Sequence, residues 1–389
     1  MVKLGFGRGS ALGLSVLASS LLAFACSTTV VSEDPGSTTP APVPEPVAAK
    51  IGKGDGSAAS VTLTTIADAD SGLRAPTDLD WNPMKPTELW VVNYKDDSIV
   101  TISDAPTDAR ATVRRRDVAA THFMPNPTGI AFGANETTFG VPGTFAACGE
   151  SRNERAQGTA NDFMGPALWS SDPDIFAKKD PIGLGSHLDM LHNTPLCMGI
   201  AHESANRYWV TGGYNKSIDL YDFKRDHDIG QDDHSDGESY QYARGELGYV
   251  AKVPSHLVYK ADTKMVYVAD TGNKRVLSLD ANTGTEAGRV RAKEKMAVSV
   301  EMDGAVLKDV VPASFGLQEP SGIELDGETL YVSDHATSKI YAFSLDGKEL
   351  RKLDTGLPAG SLSGLSIGPD GKMYLVDMLD NRVLRIDPK

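Results

Sequence analysis

The chain has 389 residues, and 52 Asp and Glu against 38 Lys and Arg give a formal net charge of −14. That acidic balance argues against nucleic acid as a partner, because phosphate binding needs clustered cations. Length alone permits two or three domains, yet rings of repeated sheets exceed the usual domain size, so length does not decide the architecture.

The N-terminus carries Lys3 and Arg8 ahead of an apolar stretch over residues 11–25, long enough for a signal h-region and short for a membrane span. Residues 1–25 are therefore expected to be a signal peptide, and the exported chain to reach a bacterial cell envelope or be secreted. Ala23-Phe24-Ala25 fits the small-x-small site of ordinary signal peptidase. Cys26 resembles the lipidated cysteine of a bacterial lipoprotein, which would make the membrane a partner through a lipid anchor. Leu22 and Ala25 keep the general character of the lipobox, while Ala23 and Phe24 depart from it. Residues 26–59, rich in Ser, Thr, Pro and Ala, read as an unstructured tether. With Cys26 lipidated, Cys148 and Cys197 remain as one pair, for which a disulfide is the default in an oxidising compartment. The alternative makes Cys197 a soft metal ligand.

From residue 60 a unit recurs: a small or Pro-containing turn, a short apolar strand, a second strand ending near Asp or Gly, a turn, and a third strand. It opens at Pro76-Thr77-Asp78-Leu79, Pro127-Thr128-Gly129-Ile130, Cys197-Met198-Gly199-Ile200, Pro254-Ser255-His256-Leu257, Pro320-Ser321-Gly322-Ile323 and Leu362-Ser363-Gly364-Leu365. Each copy is rich in β-branched and aromatic residues and punctuated by Gly, Pro, Asn and Asp, as short antiparallel strands require. Six such units arranged radially predict an all-β fold, a six-bladed β-propeller over residues 60–389, most simply a monomer. The last copy ends with three strands, and Val61-Thr62-Leu63-Thr64-Thr65-Ile66 alternates as a strand that would complete that blade and close the ring. The second copy is interrupted, and residues 148–196 read as an insertion, either a lid over the channel mouth or a decorated blade that packs Phe163, Trp169 and Phe176 as core.

Tyr267-Val268-Ala269-Asp270-Thr271-Gly272-Asn273-Lys274-Arg275-Val276 resembles the NHL-repeat signature, and the copy from Pro320 to Asp346 does so nearly as well. The resemblance implies an NHL-type propeller, an architecture that serves partner binding as well as metal-dependent hydrolysis and lyase chemistry.

Six of the eight histidines fall between residues 187 and 256, so any imidazole chemistry is concentrated there. Within that span, residues 225–238 combine His227 and His234 with Asp226, Asp228, Asp232, Asp233 and Asp236, punctuated by Gly230 and Gly237. Carboxylates and neutral imidazoles are the ligands that hard and borderline cations take, and repulsion among like charges in one loop would be relieved by a cation. The plain alternative is a solvated acidic loop. A metal site is expected from His202, His227 and His234 with Asp226, Asp228 and Asp233, the ion being Ca, Zn or Cu without distinction. Strand order places His122, His192, His256 and His335 on the opposite face, as a secondary set at the channel mouth. The blade around Val253-Pro254-Ser255-His256 is similar to one of peptidyl-hydroxyglycine amidating lyase, which implies zinc held by three histidines. His122 would supply a second ligand, but Ser363, Gly364 and Gly322 stand where a third would be needed. No phosphate loop, dinucleotide fingerprint or Gly-x-Ser-x-Gly elbow occurs, so no nucleotide cofactor is expected. The expected function is a cell-envelope propeller that binds a small-molecule or protein ligand and holds a metal; the alternative is a metal-dependent lyase or hydrolase using the same region.

Overall fold

Strands of four to eight residues separated by turn formers cannot each bury an apolar face alone, and radial stacking is how the chain covers them. The computed structural model describes residues 44–133, 143–153 and 159–389. The expected signal segment, Cys26 and the first part of the expected tether lie outside these residues. Six sheets, antiparallel except where Glu238–Tyr242 of blade 3 pairs in parallel with Val298–Asp303, form the six blades of a β-propeller. Blade 1 runs through Pro76–Trp81, Leu89–Asn93, Ser98–Ser103 and Ala111–Arg115, innermost strand first. Blade 2 comprises Pro127–Phe132, Thr144–Gly149, Ala167–Ser170 and His187–Met190. Blade 3 comprises Cys197–Ser204, Arg207–Gly212, Ser217–Asp222 and Glu238–Tyr242, and it is extended outward by Val298–Asp303 and then Thr285–Arg289. Blade 4 comprises Leu257–Lys260, Met265–Asp270, Arg275–Asp280 and Val306–Val311. Blade 5 comprises Pro320–Asp326, Thr329–Asp334, Lys339–Ser344 and Glu349–Asp354.

Blade 6 takes three strands from the C-terminal end, Leu362–Ile367, Met373–Asp377 and Arg382–Pro388, and its fourth from Val61–Ala67. Val61 lies opposite Pro388 and Leu63 opposite Ile386, so the ring is fastened by its own first strand, as the alternating pattern predicts.

The recurring Pro-x-Gly-Ile turn has a packing reason. A Cβ at Gly199 would sit 2.5 Å from the Ser255 carbonyl oxygen, and one at Gly322 would sit 2.2 Å from that of Ser363. Neighbouring innermost strands therefore touch backbone to backbone at the axis, where a side chain has no room. Blades 1 and 4 break the rule with Asp78 and His256, whose side chains face each other with His256 Nδ1 3.7 Å from Asp78 Oδ1.

Two expectations need correction. Residues 44–59 were assigned to an unstructured tether, but Glu45–Ile51 is a helix with Val47, Ala48 and Ile51 buried against blades 5 and 6. Its apolar positions, four apart at 47 and 51, form one stripe, which offsets the Pro-rich composition around it. Residues 148–196 are not an insertion between strands: they contain the third and fourth strands of blade 2, joined by longer loops. Trp169 and Phe176 are buried in one cluster with Trp90, Phe132 and Phe145. Cys148 and Cys197 are joined as a disulfide that ties the second strand of blade 2 to the first of blade 3.

Candidate metal centre

The outermost strand of blade 2 reads His187-Leu188-Asp189-Met190, and an irregularity in its pairing sets His187 opposite Trp169 and Asp189 opposite Leu168, so the simple alternation of a strand is broken here. Leu188 packs into the apolar cluster shared with blade 3 and Met190 into the one shared with blade 1. The edge of this strand is not left open. The His227 N–H donates to the Leu188 carbonyl at 3.0 Å and the Gly230 N–H to that of His187 at 2.8 Å, so the acidic loop of blade 3 is laid across blade 2. Gly230 makes the approach feasible: its φ is +68°, and a Cβ there would lie 2.7 Å from the Gly185 carbonyl oxygen.

This crossing brings His227 and His234 to Asp189, one donor atom of each lying within 4.8 Å of the others. His187 stands beside them, its ring centre 5.0 Å from that of His227. His227 and His234 are 5.1 Å apart on the same measure. His234 is 5.7 Å from His192, and His192 5.8 Å from His122. Five of the eight histidines thus converge on the rim between blades 2 and 3.

The hydrogen bonds set the tautomers. Nδ1 of His187 donates to the Leu184 carbonyl at 2.9 Å and Nδ1 of His227 to the Asp228 carbonyl at 2.8 Å. That leaves a lone pair on Nε2 of each, and both of these atoms are buried without a hydrogen-bond partner, as is Oδ2 of Asp189. Orphaned buried acceptors are costly, and a cation is a group that satisfies several at once. Nδ1 of His234 is 2.8 Å from Asp189 Oδ1, an oxygen that also accepts the Met190 N–H at 2.7 Å.

Burial pushes His187 down to about 2 and lowers His227, so both stay neutral, the form a metal needs. Burial raises Asp189 to about 7 despite its bond to His234. Burial opposes charge on His234, but the Asp189 bond and the Glu294 carboxylate outweigh it and raise the imidazole. The Asp189–His234 pair therefore holds a proton that an incoming cation would displace.

His187 and His234, but not Asp189 or His227, line a cavity of about 400 Å³ walled by Phe123, Phe163 and Leu184 on its apolar side and by His192, Asp233 and Glu294 on its polar side. Glu294 comes from the segment that joins the two strands of the hairpin extending blade 3. Its Oε1 is 2.8 Å from His192 Nδ1, and its Oε2 is 3.9 Å from His234 Nε2.

Of the expected ligand set, only His227 and His234 meet. His202 lies elsewhere, at the central channel, where its Nε2 donates to the Ala205 carbonyl at 2.9 Å. Asp226 is spent on the loop itself, its Oδ1 accepting the Asp228 N–H at 3.1 Å, and Asp228 is not in the group around Asp189, to which it offers only its backbone carbonyl through His227. Asp233 reaches the cavity wall but accepts the Ser235 N–H at 3.1 Å. The channel-mouth set is also dispersed. His122 and His192 belong to the rim cavity, together with His234 from the supposedly opposite face. His335 Nδ1 donates to the Leu362 carbonyl, and His256 Nε2 to that of Thr128.

The reading of the sequence missed His187, Asp189 and Glu294. The pairing irregularity between His187 and Asp189 breaks the alternation that would have signalled the first two, and Glu294 gave no signal. It also missed the channel. There Asp78, Asp80 and Glu324 gather in a second cavity of about 260 Å³, and desolvation raises Asp78, lifts Asp80 to about 7 and lifts Glu324 to about 8.

By sequence the chain matches no family model and no curated protein. In structure it is similar to an auxiliary nutrient binding protein from Bacteroides ovatus, at 14% identity over 82% of this chain and 70% of that one, with a TM-score of 0.50. It is also similar to a luciferin-regenerating enzyme, at 13% identity over 84% and 95% with a TM-score of 0.48. A virginiamycin B lyase from Staphylococcus aureus aligns at 11% identity over 80% of each chain, with a TM-score of 0.41. The likeness is one of fold.

Proposed function

We propose that this chain is a propeller of the NHL type that holds one transition-metal ion at its rim, with Asp189, His227 and His234 as ligands, and acts on or binds a small molecule at the ion's open position. The observation that carries the reading is the approach of three donor atoms to within 4.8 Å of one another, one of them on His234, which also lines a 400 Å³ cavity. Two imidazoles and one carboxylate suit Zn²⁺ or Cu²⁺ better than Ca²⁺, which takes six to eight oxygens. Three protein ligands beside a roomy cleft leave a position for water or substrate, the arrangement of catalytic rather than structural zinc. An ion there would lower the pKa of bound water or polarise a carbonyl, and Glu294 stands where a base could take a proton. The half-apolar walls favour a substrate with an aromatic or aliphatic part beside its oxygen functions.

Metal content of the purified full chain, loaded with zinc and dialysed, tests this reading against His227→Ala/His234→Ala. One equivalent in the wild type and none in the double variant supports it; equal content in both, or no metal in either, overturns it. Export and lipid anchoring through Cys26 complete the proposal, supported by the Cys148–Cys197 disulfide, which suits an oxidising compartment. Mass spectrometry of the mature N-terminus tests that part.

A further inference from the structure

Blade 3 ends in a strand that nothing covers among the described residues. Thr285–Arg289 is the last of six strands in its sheet, pairs only with Val298–Asp303, and has every residue exposed. Its outer edge offers a row of backbone N–H and C=O groups, the template to which another extended chain adds.

The edge itself balances Glu286 against Arg289, but the segment that follows it carries charge opposite to that of the protein. Arg289, Arg291, Lys293 and Lys295 alternate along the segment that leaves the strand, all exposed, in a chain of net charge −14. Only Glu294 interrupts them, and it is turned toward His192. Below the edge lies a groove of about 520 Å³ with Ala287, Val290, Ala292, Met296 and Val298 along it. An open backbone edge over residues 285–289, an alternating row of cations over 289–295 and a groove of mixed polar and apolar lining thus adjoin one another.

We infer that the Thr285–Arg289 edge and the Arg289–Lys295 cations form a docking site for an extended acidic segment of a partner polypeptide, one that alternates carboxylates with apolar residues. The partner's backbone pairs with the open edge, its carboxylates meet the arginines and lysines, and its apolar side chains enter the groove. A second copy presenting the same edge would bring four cations against four cations, so the charge disfavours that occupant. The site stands apart from the metal reading, although Glu294 and Lys295 belong to the walls of both cavities.

The test uses the full chain and a fluorescein-labelled ten-residue peptide of alternating Glu and Val, followed by anisotropy. A peptide with Pro in place of every Val keeps the charge but cannot pair its backbone, and one with Lys in place of Glu reverses the charge. Binding of the first peptide, at least tenfold weaker for both controls and for the Arg289→Glu/Arg291→Glu variant, is expected, with slowed amide exchange over residues 285–289. Both arginines are exposed, and the melting curve of the variant establishes that it folds. Equal binding of the Pro peptide would mean charge attraction alone and would overturn the inference. So would binding unaffected by the charge reversal, no binding at all, or a dimer of the chain that is lost in the variant and excludes the peptide.

Discussion

Replacing Glu324 by Gln should stabilise the protein at alkaline pH and leave it unchanged in acid. Glu324 projects from the innermost strand of blade 5 into the channel, where burial raises its carboxyl to about 8, the charge of Asp80 adds to the rise, and the Leu325 N–H opposes it. Below an unfolded value of 4.5 the group is protonated in both states and costs nothing. Between 4.5 and about 8 the unfolded chain releases the proton while the folded chain keeps it, so folding loses stability as pH rises, and above 8 the loss is complete. A gap of about 3.5 pH units corresponds to a ceiling of about 5 kcal/mol. Water reaching the channel mouth reduces this to about 2 kcal/mol. With an unfolding entropy of about 0.7 kcal/mol/K for a domain of this size, the variant should melt about 3 °C higher at pH 8.5 and at the wild-type temperature at pH 4. Scanning calorimetry at the two pH values reads this directly. A gain that is the same at both, or a loss at pH 8.5, would refute the argument from channel burial.

Three further outcomes are expected. Cys148→Ser/Cys197→Ser opens a link between residues 49 apart in sequence, which should cost about 4 kcal/mol in chain entropy and lower the melting temperature by about 6 °C; adding a reductant to the wild type should move its melt the same way. Ile51→Ala removes a fully buried side chain from the helix that covers blades 5 and 6, costing about 2–4 kcal/mol and speeding proteolysis of the N-terminal segment. Asp189→Asn should weaken zinc binding at least tenfold in competition with a chromophoric chelator, because the neutral amide keeps an acceptor for His234 but not the negative charge of a carboxylate ligand.

The ring was legible because six turns of one kind repeat, and because glycine at Gly129, Gly199, Gly322 and Gly364 is dictated by backbone contact at the axis. The same alignment sets Asp78 and His256 apart as the two residues that break the rule, a signal for the channel site that the reading of the sequence did not use. The rim site was less legible for two reasons. The third and fourth strands of blade 2 have four residues each and are set apart by long loops, so the pairing of Ala167–Ser170 with His187–Met190 has too short a local pattern to read. Sorting histidines by strand order holds for short turns, whereas the loop carrying His227 and His234 crosses onto the neighbouring blade and pairs with Leu188. Glu294 arrives from a hairpin beyond blade 3, and no local spacing announces it.

X-ray absorption at the zinc edge of the loaded full chain addresses the metal centre itself. The proposed centre requires two imidazole nitrogens and a carboxylate oxygen at about 2.0–2.1 Å with at least one further light atom from water, and loss of the imidazole scattering in His227→Ala/His234→Ala. A shell of oxygens alone, or four protein ligands with no exchangeable position, would contradict it.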